Sequence, residues 1–335
     1  MQRTMELALK GIGYVSPNPL VGCVIVHDGK IIGEGYHQKY GQAHAEVNAI
    51  NAVADKSLLR ESTLYVNLEP CSHFGKTPPC ADLLIKHNVK KVVIANVDSN
   101  PLVGGKGITK LREAGVEVVT NVLEQEGREL NKRFFTFIEK QRPYLILKWA
   151  QTSDRFIARN NFDSKWISSE LSRQLVHRWR SEEAAILVGK NTALHDDPQL
   201  NVRNWTGPNP VRIVIDRNLS LPKHLKMFTD NDPTLVYNVK ESDTNGIIHR
   251  IRVSELSFYR DLIVDLYRRG LQSVIIEGGA STLRNFIDLA LWDEARVFTS
   301  PQEFREGIPA PQVSGTLISS EMVDTDVLKI YRHEP

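Results

Sequence analysis

The chain has 335 residues, of which 41% are hydrophobic and 24% are charged, and its formal net charge is +2 at pH 7. This length suits two domains rather than one. The nearly neutral balance lacks the basic footprint of a nucleic-acid-binding protein, so we expect no nucleic-acid partner. No apolar run approaches the roughly 20 residues of a transmembrane helix, so we expect no membrane partner either. Three cysteines are too few for a disulfide framework, and they favour a cytoplasmic location.

The first half of the chain alternates predicted helices and strands. Helices are predicted at residues 2–12, 41–54, 81–87 and 108–114, and strands at 21–26, 31–37, 63–70, 90–98 and 116–122. This alternation predicts an α/β three-layer domain with a mainly parallel sheet. A single charged helix over residues 124–142 follows, and we place the domain boundary after Arg142.

Two short segments of this half carry residues that bind metals. His44 and Glu46 lie in AHAEV, and Cys71 and Cys80 lie in PCSHFGKTPPC. One imidazole and two thiolates suit a tetrahedral zinc ion with an open fourth position, which is typical of a catalytic site. Zinc lowers the pKa of its bound water to about 7, and Glu46 is placed to shuttle the proton. This order of residues is typical of zinc-dependent base deaminases, although residues 72–79 form a longer insert than usual.

Other interpretations of these residues stay open. A buried cysteine pair with a core histidine would need no metal, as Cys23 in an apolar run illustrates. A zinc-stabilised structural protein predicts a fourth ligand, for which His73 is the nearby candidate. A nucleic-acid deaminase predicts C-x-x-C and a basic surface, and the sequence has neither. Asn18, held between two prolines, either contacts a base in the zinc pocket or forms a simple turn.

The second half also alternates strands and helices. Strands are predicted at residues 143–151, 210–216, 234–238, 248–253 and 273–281, and helices at 171–182 and 260–270. Residues 184–194 are predicted to be a strand that runs into a glycine-containing turn and a short helix. In EGGAST, an apolar strand ends in two glycines before a helix begins, which suits a dinucleotide phosphate but also a plain connection. No G-x-G-x-x-G occurs, so a Rossmann domain is not supported.

Nine motifs together resemble one family. PNPLVGCVIV, GEGYH, HAE, LEPCSHFGKTPPC, LNKRFF, WIS, DDPQLNVR, RIVID and EGGAST resemble, in the same order, the bifunctional riboflavin-biosynthesis deaminase-reductases known as RibD. The resemblance implies a cytidine-deaminase-like domain at residues 1–142 and a dihydrofolate-reductase-like α/β domain at residues 143–335. It implies zinc-dependent deamination of a diaminopyrimidine phosphoribosyl substrate, then NADPH-dependent reduction of the ribosyl group to ribityl.

The resemblance also implies roles for individual residues. His44, Cys71 and Cys80 would bind Zn²⁺, Glu46 would transfer the proton, and Asn18 would contact the substrate. The residues expected at NADPH are Ala150, Trp166, Thr192, Asp196, Gly279, Ala280, Ser281 and Thr282. The residues expected at the phosphoribosyl substrate of the reductase are Ser164, Arg180, Leu200, Arg203 and Glu277. A homodimer is usual for such folds.

Three positions depart from the family pattern. Arg155 and Arg305 stand where glycine is common, and Arg217 follows RIVID where a small residue is expected. The zinc motif is untouched by these differences. They raise an alternative function, a deaminase-active protein whose reductase half is weak or inactive.

Overall fold

The computed structural model describes residues 1–74, 78–100 and 103–333. The chain divides into two compact units, Met1–Gln141 and Arg142–Pro335. Within the described ranges, no helix is both long and apolar enough to cross a bilayer.

The N-terminal unit is built on a five-stranded sheet. Its helices are α1 (Gln2–Leu9), α2 (Ala45–Ala52), α3 (Cys80–Lys86), α4 (Lys106–Glu113), α5 (Glu124–Leu130) and α6 (Lys132–Glu139). Its strands are β1 (Gly22–His27), β2 (Lys30–Tyr36), β3 (Thr63–Leu68), β4 (Lys91–Asn96) and β5 (Glu117–Val119), in the spatial order β2-β1-β3-β4-β5. The expected mainly parallel sheet holds except at β1: this strand runs antiparallel to both of its neighbours, β2 and β3, whereas β2, β3, β4 and β5 share one direction.

Close helix contacts place helices on both faces of this sheet. A Cβ added at Gly22 of β1 would collide with the backbone of Thr4 in α1, and one added at Gly35 of β2 would lie 2.6 Å from the carbonyl oxygen of Ala45 in α2. Cys23 lies opposite Gly35, so these two share a face, whereas the neighbouring Gly22 points to the other face. Helices α1 and α2 therefore cover opposite faces, which gives three layers.

The expected single helix over residues 124–142 is wrong. Helix α5 ends at Leu130 and α6 begins at Lys132, with Asn131 between them. The buried side chain of Asn131 accepts from the amide of Leu20 and donates to its carbonyl, at 2.8 and 2.9 Å. This distant contact divides the helix at Asn131 and ties it to the loop before β1.

The C-terminal unit contains a ten-stranded sheet. Its helices are α7 (Glu170–Glu182), α8 (Lys190–Asp196), α9 (Lys226–Thr229), α10 (Phe258–Arg268) and α11 (Ala280–Asp288). Its strands are β6 (Tyr144–Gln151), β7 (Phe156–Ala158), β8 (Ala185–Gly189), β9 (Val211–Ile215), β10 (Thr234–Asn238), β11 (Asp243–Asn245), β12 (Ile248–Arg252), β13 (Ser273–Ile276), β14 (Glu294–Thr299), β15 (Ile308–Pro309), β16 (Thr316–Val323) and β17 (Asp326–Arg332). The spatial order is β11-β12-β10-β9-β8-β13-β6-β14-β17-β16, and β7 pairs separately with β15.

The centre of this sheet is parallel and buried on both sides. Strands β9, β8, β13, β6 and β14 are parallel neighbours. Leu187 of β8 and Ile276 of β13 pack in one hydrophobic cluster, whereas Val188 and Ile275 pack in another. Parallel strands bring their carboxyl ends to one edge, where α/β proteins commonly bind ligands.

Candidate functional sites in the two units

The three expected zinc ligands converge in the N-terminal unit. His44 is the residue that precedes α2, Cys80 is the first residue of α3, and Cys71 lies three residues after β3. The Nδ1 atom of His44 is 3.5 Å from Sγ of Cys71 and 3.3 Å from Sγ of Cys80. Zinc bonds of about 2.0–2.3 Å at tetrahedral angles would separate nitrogen from sulfur by about 3.5 Å. The donor set therefore fits a zinc ion in both chemistry and spacing.

The electrostatics of the cysteine pair also suit a metal. A hydrogen bond with the Cys80 thiol, opposed by burial and assisted by His44, lowers the pKa of Cys71 to about 4. The same pairing and its own burial raise the pKa of Cys80. The backbone N–H of Cys80, at the N-terminus of α3, donates to Sγ of Cys71 at 3.3 Å. One thiolate is thus already stabilised before any cation binds.

Glu46 lies beside this cluster in the first turn of α2. Its side chain is buried, with 3% of the residue exposed. Burial, followed by the charge of Cys71, raises the pKa of Glu46 to about 7. A carboxyl group with this pKa can both accept and donate a proton near neutral pH.

Asn18 is held by His37, a buried residue that the sequence reasoning did not single out. Nδ1 of His37 lies 3.1 Å from the carbonyl oxygen of Ala43, so this nitrogen carries the proton and donates. Nε2 then accepts from Nδ2 of Asn18 at 3.1 Å, which assigns Oδ1 of Asn18 as an acceptor. The His37 ring also packs edge-on against His44, with 5.4 Å between centroids. His37 is the last residue of the GEGYH motif, and this motif is the sequence signal that could have identified it.

Glu69 is a second residue that the sequence reasoning missed. Its buried carboxylate accepts four backbone N–H groups, from Asp98, Gly105, Gly107 and Ile108, at 2.9 to 3.2 Å. Glu69 therefore caps the N-terminus of α4 from a distant strand end, two residues before Cys71. Of the insert that follows Cys71, residues 75–77 lie outside the described residues.

The expected reductase residues all line one cavity in the C-terminal unit. Its volume is about 1110 Å³, and it opens at the carboxyl ends of the parallel strands. The cavity brings together Ala150, Ser164, Trp166, Arg180, Thr192, Asp196, Leu200, Arg203, Glu277, Gly279, Ala280, Ser281 and Thr282. These positions span most of the unit's sequence, so the fold assembles them into one site.

A buried charge cluster forms the wall of this cavity. Arg180 donates to both oxygens of Glu277, at 2.8 and 2.9 Å, and Nζ of Lys148 lies 3.6 Å from Oε2 of Glu277. Burial alone would raise the pKa of Glu277, but Arg180 and Lys148 lower it to about 2. Burial and Arg180 lower the pKa of Lys148. Lys148 is not among the residues expected from the sequence, although a lone lysine in the apolar strand YLILKWAQ is a visible signal.

A cation at the cavity mouth adds to this positive wall. Arg203 is exposed, and its backbone N–H donates to Nδ1 of His177 at 3.4 Å. Burial, Arg180 and Arg203 lower the pKa of His177 to about 4, so this ring is neutral at pH 7. Among the described residues, the guanidinium of Arg203 forms no ion pair; its Nη1 donates to Oδ1 of Asn201 at 3.3 Å, and its other donors are free to bind an anion in the cavity.

The glycine-rich loop before α11 is shaped by close contacts. A Cβ at Gly189 would collide with the hydroxyl of Thr282, and one at Gly278 would lie 2.6 Å from Cβ of Thr282. Gly279 is the residue that precedes α11, where backbone N–H groups favour an anion. Across the cavity, the hydroxyl of Ser164 donates to Asp196 at 3.3 Å. These features fit the phosphates and riboses of a dinucleotide.

Two of the three departures from the family pattern have a common backbone explanation. Arg155 and Arg305 both have φ of +66°, in the left-handed region that glycine occupies most easily. Asp154 holds this turn by accepting from the backbone N–H of Arg305 at 2.6 Å. The strain of a side chain there, about 1–2 kcal/mol per residue, is tolerated without loss of the local fold. Arg217 instead lines the cavity itself.

Comparisons with known proteins cover the whole chain. Residues 1–96 match the family model of the cytidine and deoxycytidylate deaminase zinc-binding region, and residues 143–304 match that of the RibD C-terminal domain. The riboflavin biosynthesis protein RibD of Aquifex aeolicus is 44% identical, over 92% of this chain and 88% of its own. The solved Thermotoga maritima diaminohydroxyphosphoribosylaminopyrimidine deaminase/5-amino-6-(5-phosphoribosylamino)uracil reductase is 39% identical, with a TM-score of 0.91 over 99% of this chain and 97% of that chain. Acinetobacter baumannii RibD, form 1, is 34% identical, with a TM-score of 0.91 over 100% and 98% of the two chains.

Proposed function

Since the chain belongs to the RibD family of riboflavin biosynthesis proteins, we propose that each of its two units carries one of the two activities of a bifunctional enzyme. The enzyme first deaminates diaminohydroxyphosphoribosylaminopyrimidine with zinc, and then reduces 5-amino-6-(5-phosphoribosylamino)uracil with NADPH. The expected family, fold class and pair of cofactors are confirmed. We assign deamination to residues 1–142 and reduction to residues 143–335. The weak-reductase alternative receives no support from these relatives.

In the deaminase, we assign His44, Cys71 and Cys80 as the ligands of the zinc ion. The bound ion supplies Lewis-acid activation of water for attack on the amine-bearing ring carbon. Glu46, with its pKa about 7, takes one proton from this water and delivers it to the ring nitrogen. It then carries the second proton, from the added hydroxyl group, to the amine, which leaves as ammonia. Oδ1 of Asn18, oriented by His37, accepts a hydrogen bond from the substrate pyrimidine.

The observation that carries the deaminase assignment is a buried carboxyl group beside a three-ligand cluster. We expect Glu46→Gln to keep its zinc, measured by elemental analysis, and to lose deamination, because the amide cannot carry the proton. Glu113→Gln, an exposed glutamate in α4, is the matched control and should keep both properties. A Glu46→Gln enzyme that deaminates at the normal rate would remove Glu46 from the reaction.

In the reductase, we assign eight residues of the cavity lining to NADPH. They are Ala150, Trp166, Thr192, Asp196, Gly279, Ala280, Ser281 and Thr282. The cofactor supplies the hydride for the ribosyl carbon that becomes the first carbon of the ribityl chain. Of the buried Lys148–Glu277 pair, only the ammonium of Lys148 can supply the proton that the opening sugar ring oxygen requires, because Glu277, with its pKa about 2, is already ionised.

Other residues of the same lining are assigned to the substrate. We assign Ser164, Leu200, Arg180 and Glu277 to the substrate, with Arg180 held in place by Glu277. Arg203 offers a planar fork to the substrate phosphate. We expect Arg203→Ala to raise KM by about 10- to 100-fold with a smaller change in kcat. Arg268→Ala, an exposed arginine of α10, is the control, and an unchanged KM for Arg203→Ala would contradict the assignment.

We also propose a homodimer and a cytoplasmic location. Support for the dimer is the edge strand β16, where Leu317, Ile318 and Met322 are each about half exposed or more, at 50%, 48% and 63%. Support for the location is the need to keep the thiols of Cys71 and Cys80 reduced. Light scattering of the purified chain tests the dimer, since a monomer at micromolar concentration would contradict it.

A further inference from the structure

A second buried charge cluster lies on the same face of the ten-stranded sheet as Lys148. Arg296 of β14 is the neighbour of Lys148 of β6 in the parallel register of these two strands, so both side chains leave the sheet on one face. Arg296 is only 6% exposed. Like charges on neighbouring strands repel each other, so the charge of Arg296 has to be balanced and directed away from Lys148.

Two buried glutamates provide this balance. Nε of Arg296 donates to Oε1 of Glu294 at 2.7 Å, and its Nη2 lies 3.7 Å from Oε1 of Glu183. The hydroxyl of Tyr144 donates to Oε2 of Glu294 at 3.0 Å. Glu294 and Tyr144 are the first residues of β14 and β6. These contacts draw the guanidinium towards the amino ends of the strands, away from the carboxyl ends where the cavity opens.

The same guanidinium stacks on Trp179, the residue before Arg180 in α7. Its Cζ atom lies 4.5 Å from the ring centre of Trp179. This ring also stacks on Phe298, with 5.5 Å between centroids. Glu183 follows the last residue of α7, and its backbone N–H donates to the carbonyl oxygen of Trp179 at 3.1 Å. Arg296 therefore holds the last turn of α7 at two points, the ring of Trp179 and the carboxylate of Glu183.

This turn carries Arg180 into the cavity. Arg180 donates to both oxygens of Glu277, and Glu277 in turn pairs with Lys148. A shift of the turn would move the guanidinium of Arg180, and the two groups paired with it. A displacement of about 1 Å can cost a reaction about 100-fold in rate. The arrangement of these three groups thus depends on Arg296, which itself lies outside the cavity lining.

The surroundings of Arg296 suit a directing role better than a purely stabilising one. Nη1 of Arg296 is buried and has no hydrogen-bond partner among the residues that the structure describes. An unsatisfied buried donor costs free energy, and buried ion pairs can often be replaced by apolar residues without loss of stability. Arg296 does provide a fixed direction, because Glu294 binds its edge and Trp179 packs on its face.

We propose that Arg296 is a positioning residue of the reductase, because it fixes the turn of α7 that carries Arg180. Through that turn it also fixes Lys148, the proton donor for the opening sugar ring. Arg296 touches neither substrate nor cofactor. The inference rests on the proposed reductase function and adds to it a residue behind the cavity wall.

The test is steady-state reduction of supplied 5-amino-6-(5-phosphoribosylamino)uracil by the full-length, zinc-loaded chain, with deamination measured on the same preparations. We expect Arg296→Met to lower the kcat of reduction by about 10- to 100-fold, because the reacting groups are displaced, while the KM for NADPH stays within about twofold. Arg296→Lys keeps the charge but not the planar group, so it should restore only part of the kcat. Deamination, which we assign to the other unit, should stay within about twofold of the wild type in both variants.

A combined variant separates positioning from stability, since Arg296→Met alone leaves two buried carboxylates without their cation. Arg296→Met with Glu183→Gln and Glu294→Gln removes all three charges and keeps an acceptor for Tyr144. Its C-terminal unit should unfold thermally closer to the wild type than that of Arg296→Met, whereas its kcat should stay about 10-fold low or lower. In every variant, kcat is divided by the folded fraction of the C-terminal unit. A loss of kcat that unfolding fully explains would overturn the inference.

Arg178→Met is the matched control. Arg178 also pairs with a glutamate, Glu182 at 2.7 Å, and lies over the ring of Trp205, but it is on the exposed side of α7. This variant should keep its kcat within about twofold. A normal kcat in Arg296→Met or in the combined variant would overturn the inference while leaving the reductase assignment intact. A wild-type chain that does not reduce the substrate would instead defeat the reductase assignment, and this inference with it.

Discussion

Replacing Glu277 with Gln should destabilise the C-terminal unit by about 3 kcal/mol at pH 7. The pKa of Glu277 falls from its usual 4.5 to about 2 in the folded chain, and each pKa unit is worth about 1.4 kcal/mol. The side chain of Glu277 is only 9% exposed, so solvent screens this energy little. Breaking a buried ion pair costs about 3–5 kcal/mol in other proteins, which agrees with this value. The variant leaves Arg180 and Lys148 buried as unbalanced cations.

The assay is thermal unfolding of the full chain, with the transition of the N-terminal unit as an internal reference. For a unit of this size, about 2–4 °C are lost per kcal/mol, so the C-terminal transition should fall by about 6–12 °C. Exposed Glu303→Gln is the control and should stay within about 0.5 kcal/mol of the wild type. A variant with an unchanged transition would refute the reasoning.

The pH dependence of this difference has a defined sign. A carboxyl group whose folded pKa is lowered stabilises the fold above its unfolded pKa of about 4.5, and this stabilisation disappears as the pH falls towards 2. The gap between wild type and Glu277→Gln should therefore shrink by more than half at about pH 3. A gap that widens on acidification would contradict the assigned charge state.

Three further predictions concern the N-terminal unit. Glu69→Gln should lower deamination by about 10- to 100-fold, because the amide cannot accept all four N–H groups. Reduction of supplied deaminated substrate should stay unchanged, and equal loss of both activities would contradict this prediction. Cys80→Ser should lose both zinc, measured by elemental analysis, and deamination, and a zinc-replete variant would remove Cys80 from the ligand set. Gly35→Ala should destabilise the unit by about 1–3 kcal/mol in urea unfolding, because its Cβ would press on the backbone of α2, and unchanged stability would contradict that packing.

The parts of the molecule that the sequence predicts well are those set by short-range patterns. The strand positions and the strand–glycine–helix connection at Gly278 and Gly279 follow from apolar runs and conformational freedom. The candidate metal cluster is visible because His44, Cys71 and Cys80 are rare residue types in a specific order. Such signals need no knowledge of which strands are neighbours.

The parts that the sequence does not predict depend on contacts between distant segments. Nothing near Asn131 shows that Leu20 will bind it and divide a helix, and nothing near Glu69 shows that it caps α4. The role of the buried Lys148 is apparent only in the folded chain, where β13 pairs with β6 and Glu277 lies beside Lys148. The antiparallel pairing of β1 with β3, which makes the sheet mixed, likewise depends on the assembled fold.

The most direct test of the account is mass spectrometry of the diaminopyrimidine phosphoribosyl substrate after incubation with the zinc-loaded chain, with and without NADPH. We expect replacement of an amine by oxygen in both reactions, and a further gain of two hydrogens only when NADPH is present. Deamination without any reduction would contradict the assignment of the cavity at Glu277 and Gly279 to an active reductase. Unchanged substrate in both reactions would contradict the assignment of His44, Glu46, Cys71 and Cys80 to a deaminase.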